Sequence, residues 1–227
     1  MMNVVKPYAK IMNTDGKFGE FGLEEGLVLL RKIEWCGRIS HRTEDAQTQD
    51  SWERFIRAVV LQHGDWSIVE HASASVDMLV DRGITHEIVR HRLFSFTQES
   101  TRFVNYEKKM PASFIEPEGM DEDPALHQTW CAHIAAAEAQ YRFMLAHGTT
   151  PQIARSVFPN ALASRIIITG NLRNWRHFLL MRTTKEAHPQ MREVTIPLLA
   201  EFQAKIPILF EDIEPNARQV VNIAKGR

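Results

Sequence analysis

Between residues 72 and 80 the chain alternates. Ala72, Ala74, Val76, Met78 and Val80 are apolar, Ser73, Ser75 and Asp77 between them are polar, and only Leu79 breaks the pattern. A period of two marks a strand with one buried face and one that is not. Most of the remaining patterned sequence has helical spacing. Leu23, Leu27, Leu30 and Ile33 fall on one helical stripe, as do Trp52, Phe55, Ile56, Val59 and Val60. A strand of this kind cannot bury its apolar face alone, so the chain must mix strands with helices in one packed structure.

The other elements follow from local signals. Val4-Val5 begins a strand, and Asn13 to Gly16 reads as a turn. Asp50 with Glu53 resembles a capping box opening the second helix, which Gly64 ends. Gly37 to Gln49 is polar and reads as a loop. Asp81-Arg82-Gly83 reads as a turn, followed by a short helix to Arg92. Leu93 to Met110 shows no period and reads as a long functional loop. Pro111 to Pro124, acidic and Pro-containing, reads as a surface loop. Asp123-Pro124 is a cap followed by Pro at the first helical position, predicting a helix to Ala146, and Thr150-Pro151 repeats the signal for a shorter one. Leu162 to Thr169 is Ala-rich early and β-branched late, so both helix and strand stay open. Asn171 to Met181 and Pro189 to Lys205 read as helices, the second kinked at Pro197.

Charge and cysteine content narrow the function. Lys and Arg number 27 against 28 Asp and Glu, which gives no basic excess of the kind that coats a polyanion. Yet Arg142 to Arg192 holds seven Arg and one Lys against Glu186 alone, a charge of +7, leaving −8 for the rest of a chain of −1. Such a concentration suits an anionic small molecule, and a solvated basic face is the competing reading. Two cysteines, Cys36 and Cys131, are too few for a disulfide scaffold or a four-Cys zinc site. Cys131, beside Trp130 and Ile134, reads as a core thiol. No apolar run approaches the ~18 residues of a membrane span, and Met1 to Gly16 has no signal-peptide core. A cytoplasmic protein with no membrane and no nucleic-acid partner is expected.

The segment Arg90-His91-Arg92, with Ser100, Thr101 and Arg102 following, has the chemistry of a phosphate cradle: guanidinium forks, hydroxyls and loop amides. The competing reading is a surface turn whose arginines pair with Glu87 and Glu99. His86 and His91 flank Glu87 with one residue too many for a zincin motif. On a helix they would lie about 140° apart, so no metal is expected.

Arg90-His91-Arg92, seven residues, then Ser100 closely resembles the signature of the flavin-dependent thymidylate synthases, the ThyX family. Ser67 to His71 resembles the family's Ser/Thr-x-x-Glu-His, and Ala154-Arg155 before Pro159 its Arg-and-Pro segment. Asn171-Leu172-Arg173 is similar to its Asn-x-Arg, with Arg182 following at the family's spacing, and His188 lies near the start of the last helix. The resemblance runs from about Arg38 to Arg192. It implies one α+β domain over 1–227, with a small, mostly antiparallel sheet packed against several helices, and a homotetramer with sites shared between chains. It implies methylation of dUMP to dTMP with methylenetetrahydrofolate as carbon donor, FAD as flavin and NADPH to re-reduce it. It places Arg182 beside the pyrimidine as the activating group. Ser100, Arg102 and Arg155 match the family's phosphate contacts, and Glu87, Arg90, Gln98 and Glu99 fall among its dUMP positions. For FAD it implies Ser40, Ser67, Arg90, His91, Arg92, Gln98, Asn171, Arg173, His177 and His188. The chain departs from the family at four points. Gln98 stands in the usual place of a Glu, with Glu99 shifted by one. Glu87 replaces a Gln, Asp65 a His, and His177 an Asn.

Overall fold

Residues 3–13, 20–108 and 110–216 of the 227 are described by the computed structural model. The alternating segment is strand β3, Ser73–Asp81, and Ala74, Val76, Met78 and Val80 are all buried. The ambiguous segment is also a strand, β6, Ala163–Asn171. β1 (Asn3–Val4), β2 (Tyr8–Ile11), β4 (Ser95–Gln98) and β5 (Ser113–Phe114) complete the set. β1 pairs in parallel with β5, while β2, β3, β6 and β4 are neighbours in that order.

The hydrogen bonds give the strand directions. Leu172 N–H donates to Ala72 C=O, and Arg82 N–H donates to Leu162 C=O. Numbers rise along one strand as they fall along the other, so β3 and β6 run antiparallel. The fold is the small, mostly antiparallel sheet with several helices that the family resemblance implies.

The helices are α1 (Leu23–Ile39), α2 (Trp52–Ile56), α3 (Arg82–Ile88), α4 (Pro124–Ala146), α5 (Pro151–Ala154), α6 (Leu172–Arg182) and α7 (Pro189–Lys205). α1 outruns its apolar stripe because Glu34 is fully buried and satisfied: Arg38 Nε and Gln47 Nε2 donate to its oxygens at 2.8 and 3.3 Å. Ser51, not Asp50, precedes α2. Its hydroxyl turns back onto Thr48, so the expected capping box is not formed. Asp81 is no turn residue but the cap of α3, accepting from Ile84 N–H at 2.8 Å. The Leu93–Met110 stretch is not wholly loop, since β4 lies within it. Of the predicted Asn13–Gly16 turn, all but Asn13 lies outside the described residues.

The chain divides into two compact units. Asp77–Arg92 and Phe96–Ile168, with the N-terminal residues to Tyr8, form the first. Its core gathers Tyr106, Phe114, Ile134, Tyr141 and Leu162 around α4. Ala9–Val76, Leu93–Ser95 and the chain from Thr169 form the second. There α1 packs on α2 and α7, and α6 on α7 and on the 3-10 turn Trp66–His71. Trp175, Phe178, Phe202 and Phe210 are fully buried in it, and Trp175 Nε1 donates to Ala74 C=O at 2.9 Å. Among the described residues no helix is long and apolar enough to cross a membrane.

Candidate functional site

In the first unit, α3 ends at Ile88, and Arg90, His91 and Arg92 follow it in a turn held by Arg90 N–H to Glu87 C=O and His91 N–H to Ile88 C=O. His91 is therefore off the helix. The helical-angle argument against zinc does not apply to the folded chain. Among the described residues no group of three or more His, Cys, Asp or Glu could hold a metal ion. Arg90 and Arg92 are exposed, and His91 and Glu87 are half-buried.

Beyond β4 the chain turns at Ser100, whose carbonyl accepts from the N–H groups of Phe103 and Val104. Thr101 is buried, and its hydroxyl accepts from Arg155 at 2.6 Å. One N–H of the Arg155 fork thus fixes the turn, beside the segment that carries Ser100 and the exposed Arg102, whose guanidinium lies 5.4 Å over the Phe103 ring. Of the phosphate positions the resemblance implies, Arg155 is thereby docked on the Ser100–Arg102 turn from 54 residues away in sequence.

Two neighbours hold this turn in place. Glu99 N–H donates to Arg165 C=O at 2.8 Å, and its carboxylate accepts from Tyr106 O–H at 2.6 Å. Burial, reinforced by that carboxylate, pushes the Tyr106 hydroxyl well above the ordinary tyrosine range, so it stays a donor. Glu99 therefore serves the loop rather than pairing with Arg90 or Arg92. Gln98 Nε2 donates to Thr85 Oγ1 and Ser164 Oγ, both at 3.0 Å. Thr85 Oγ1 spends its own proton on Arg82 C=O at 2.9 Å. The amide must then present its nitrogen there, which leaves Oε1 as the acceptor on its other edge.

The second unit carries the remaining positions. Asn171 caps α6, its Oδ1 accepting from Asn174 N–H at 2.8 Å, so Nδ2 is the group it can offer a ligand. Arg173 pairs with Glu70 at 2.6 Å, and both side chains are about half exposed. His177 lies on α6, and Arg182 is its last residue. His188 caps α7 through Nδ1, which accepts from Gln190 N–H at 3.2 Å, so the proton of the neutral ring is on Nε2.

Ser40 and Ser67 line a cavity of about 810 Å³ with Arg38, His41, His63 and Asp65. Phe55 and Ile68 form its apolar wall. A Cβ on Gly37 would come within 2.8 Å of Phe55 and 2.9 Å of Ile68, so only glycine lets α1 approach that wall. Arg38 lies 5.0 Å over the Phe55 ring, oriented by Glu34. Hydroxyls, imidazoles and a guanidinium stacked on an aromatic wall suit the phosphates of a nucleotide cofactor such as FAD.

Much of the basic segment is neutralised by partners. Arg165 pairs with Asp77, Arg176 with Asp212, and Arg142 with Glu138, each at 2.6 Å. The Arg176 fork holds the Asp212 carboxyl below the usual range, although burial opposes it. Sequence reasoning did not find Tyr106, Thr85 or Ser164. Thr101, read as one of the cradle hydroxyls, instead accepts from Arg155. Cys131 is half-buried rather than a core thiol.

Residues 30–208 match the family model described as thymidylate synthase complementing protein, Thy1. A flavin-dependent thymidylate synthase of Mycobacterium avium is 35% identical over 171 residues, which are 68% of this chain and 67% of that one. The enzyme of the same name from Corynebacterium efficiens is 34% identical over 215 residues, 86% of this chain and 81% of that one. The fold is shared with the UMP/dUMP methylase PolB of Streptomyces cacaoi bound with 5-Br dUMP. The TM-score is 0.73 at 22% identity, covering 92% of this chain and 96% of that one. The match spans the Arg90–Arg102 motif, the Arg155 segment and Asn171 to Arg182, and the chain belongs to the thymidylate synthase complementing protein family.

Proposed function

We propose that this chain is a flavin-dependent thymidylate synthase that methylates dUMP to dTMP. Methylenetetrahydrofolate is the carbon donor, FAD the flavin, and NADPH the reductant that reloads it. The observation that carries the reading most is the Ser100–Arg102 turn, docked on Arg155 through Thr101, inside a chain of this family. A nucleotide monophosphate brings a dianion, and two guanidiniums with a serine hydroxyl are the donor set for it. Gln98 Oε1 accepts from a donor on the nucleotide. Glu99 and Tyr106 keep the turn in place while it binds.

Methyl transfer to uracil needs electron density at the receiving carbon. Arg182 stabilises the anionic form of the pyrimidine by charge and hydrogen bonding, with no covalent nucleophile. Arg90, His91 and Arg92, with Ser40, Ser67, Asn171, Arg173, His177 and His188, hold the cofactor's phosphates and polar edges. FAD, when bound and reduced, supplies the hydride that completes the methyl group. The family's sites are shared between chains, and we take the active form to be a homotetramer in the cytoplasm.

Purified protein mixed with FAD and passed through gel filtration tests the cofactor part. An oxidised-flavin absorption spectrum in the protein peak is expected, and a folded protein with none overturns it. Arg182→Ala should keep the flavin and lose about 10²-fold or more in turnover. Unchanged turnover removes its activating role.

A further inference from the structure

Outside the positions considered so far, the first unit holds a second chemical grouping. His127 and Cys131 are four residues apart on α4, so they lie on one face of the helix. Glu116 approaches from the loop before the helix. Its carboxylate meets His127 Nδ1, while Cys131 Sγ lies 3.5 Å from Nε2 of the same ring. The acid and the thiol occupy opposite edges of one imidazole. They do not converge on a point where an ion could sit, which separates this arrangement from a metal site. It is the order of a relay: carboxylate, imidazole, nucleophile.

Each member has a definite part. With Nδ1–H donated to Glu116, the Nε2 lone pair faces the thiol and can take its proton. The carboxylate then stabilises the imidazolium. The stripe of α4 that buries Ile134 and Tyr141 reaches Cys131 at its outer end, where the thiol is half-buried, and the His127 side chain is 42% exposed. A small reagent can therefore reach the pair, which a core thiol would not allow.

We propose that Cys131 is a modification site, a thiol primed by His127 and Glu116 for exchange with low-molecular-weight disulfides. Cys131 Sγ forms a bond to one sulfur of the disulfide while its proton passes to His127 Nε2. The disulfide's S–S bond breaks, its electron pair leaves on the second sulfur, and that sulfur takes the proton from His127. The products are a mixed disulfide on Cys131 and one free small thiol. The small disulfide is the oxidant, so no further co-reactant is needed.

Cys36 is a reference thiol in the same chain. It is half-buried on α1, and no imidazole or carboxylate bonds to it among the described residues. Full-length protein exposed to oxidised glutathione for timed intervals, then digested and weighed by mass spectrometry, tests the proposal. Cys131 should gain the glutathionyl group about tenfold or more faster than Cys36. His127→Gln should lower the Cys131 rate by a similar factor and leave Cys36 unchanged, and Glu116→Gln should lower it less. Equal rates at the two cysteines in the wild-type protein, which needs no variant to fold, overturn the proposal. So does a Cys131 rate indifferent to His127→Gln.

Discussion

Replacing Gln98 with glutamate exchanges an amide nitrogen for an oxygen and adds a charge. The structure says where this is felt. Gln98 Nε2 donates to Thr85 and Ser164, and these two residues are 0% and 1% exposed, so water cannot substitute. Ser164 can rotate its hydroxyl to donate to a carboxylate, which recovers one bond. Thr85 cannot do so without abandoning Arg82 C=O. One hydrogen bond is lost, oxygen faces oxygen, and a half-buried charge is left short of donors. Together these should destabilise the protein by about 2–4 kcal/mol near neutral pH. The deficit is pH-dependent. The folded-state pKa of the introduced carboxyl is raised above its unfolded value of about 4.3, because protonation restores an O–H donor. Such a group favours the fold below the unfolded pKa and loses that contribution as pH rises through the folded one. Gln98→Glu should therefore lie closest to wild type at about pH 3.5, below the unfolded pKa, and furthest from it near pH 7. Urea unfolding at both values, with unchanged slope, measures the difference. A variant as stable as wild type at neutral pH refutes the reasoning, as does a deficit that grows on acidification.

Three other outcomes follow from single contacts. Tyr106→Phe removes the donor to Glu99 and should lower stability by about 1–2 kcal/mol while loosening the Ser100 turn, so that more dUMP is needed for half-maximal rate; an unchanged melting temperature and dUMP requirement contradict this. Gly26→Ala would gain about 1 kcal/mol from helix propensity alone. However, its Cβ would stand 1.6 Å from the Lys205 carbonyl oxygen, so a net loss of about 2 kcal/mol or more is expected in thermal unfolding, and a gain contradicts the packing of α1 on α7. Asp212, its carboxyl held low by Arg176, contributes stability above its unfolded pKa that disappears as pH falls through the lower folded one. Its side chain is 61% exposed, so Asp212→Asn should cost only about 1 kcal/mol or less at neutral pH and nothing in strong acid; an acid-unfolding difference of the opposite sign contradicts the pairing.

The sequence was most legible where burial follows a period. β3 alternates because one face is covered, and Asp123-Pro124 marked the start of α4 because cap chemistry is local. It was least legible where tertiary partners override local preference. Glu34 inside α1 is polar by type but satisfied by Arg38 and Gln47, so the helix continues beyond the apolar stripe. β4 alternates for only four residues and is never fully buried, too short a signal to stand out from a loop. Site residues within motifs were readable one by one. Their supports were not, because Tyr106, Thr85 and Ser164 become relevant only when the chain brings them to Glu99 and Gln98. Gln98 shows the limit best. As a departure from the family it was visible in sequence, and the partner that requires an amide there, a threonine whose proton is already spent, is visible only in three dimensions.

The most direct test of the functional account is dTMP formation. Purified protein would be incubated anaerobically with FAD, NADPH, methylenetetrahydrofolate and dUMP, alongside reactions that omit each in turn, and the nucleotides separated chromatographically. The account predicts dTMP only in the complete mixture, with turnover lost when any component is withheld. Folded, flavin-loaded protein that makes no dTMP in the complete mixture, or makes it without the folate donor, would contradict it.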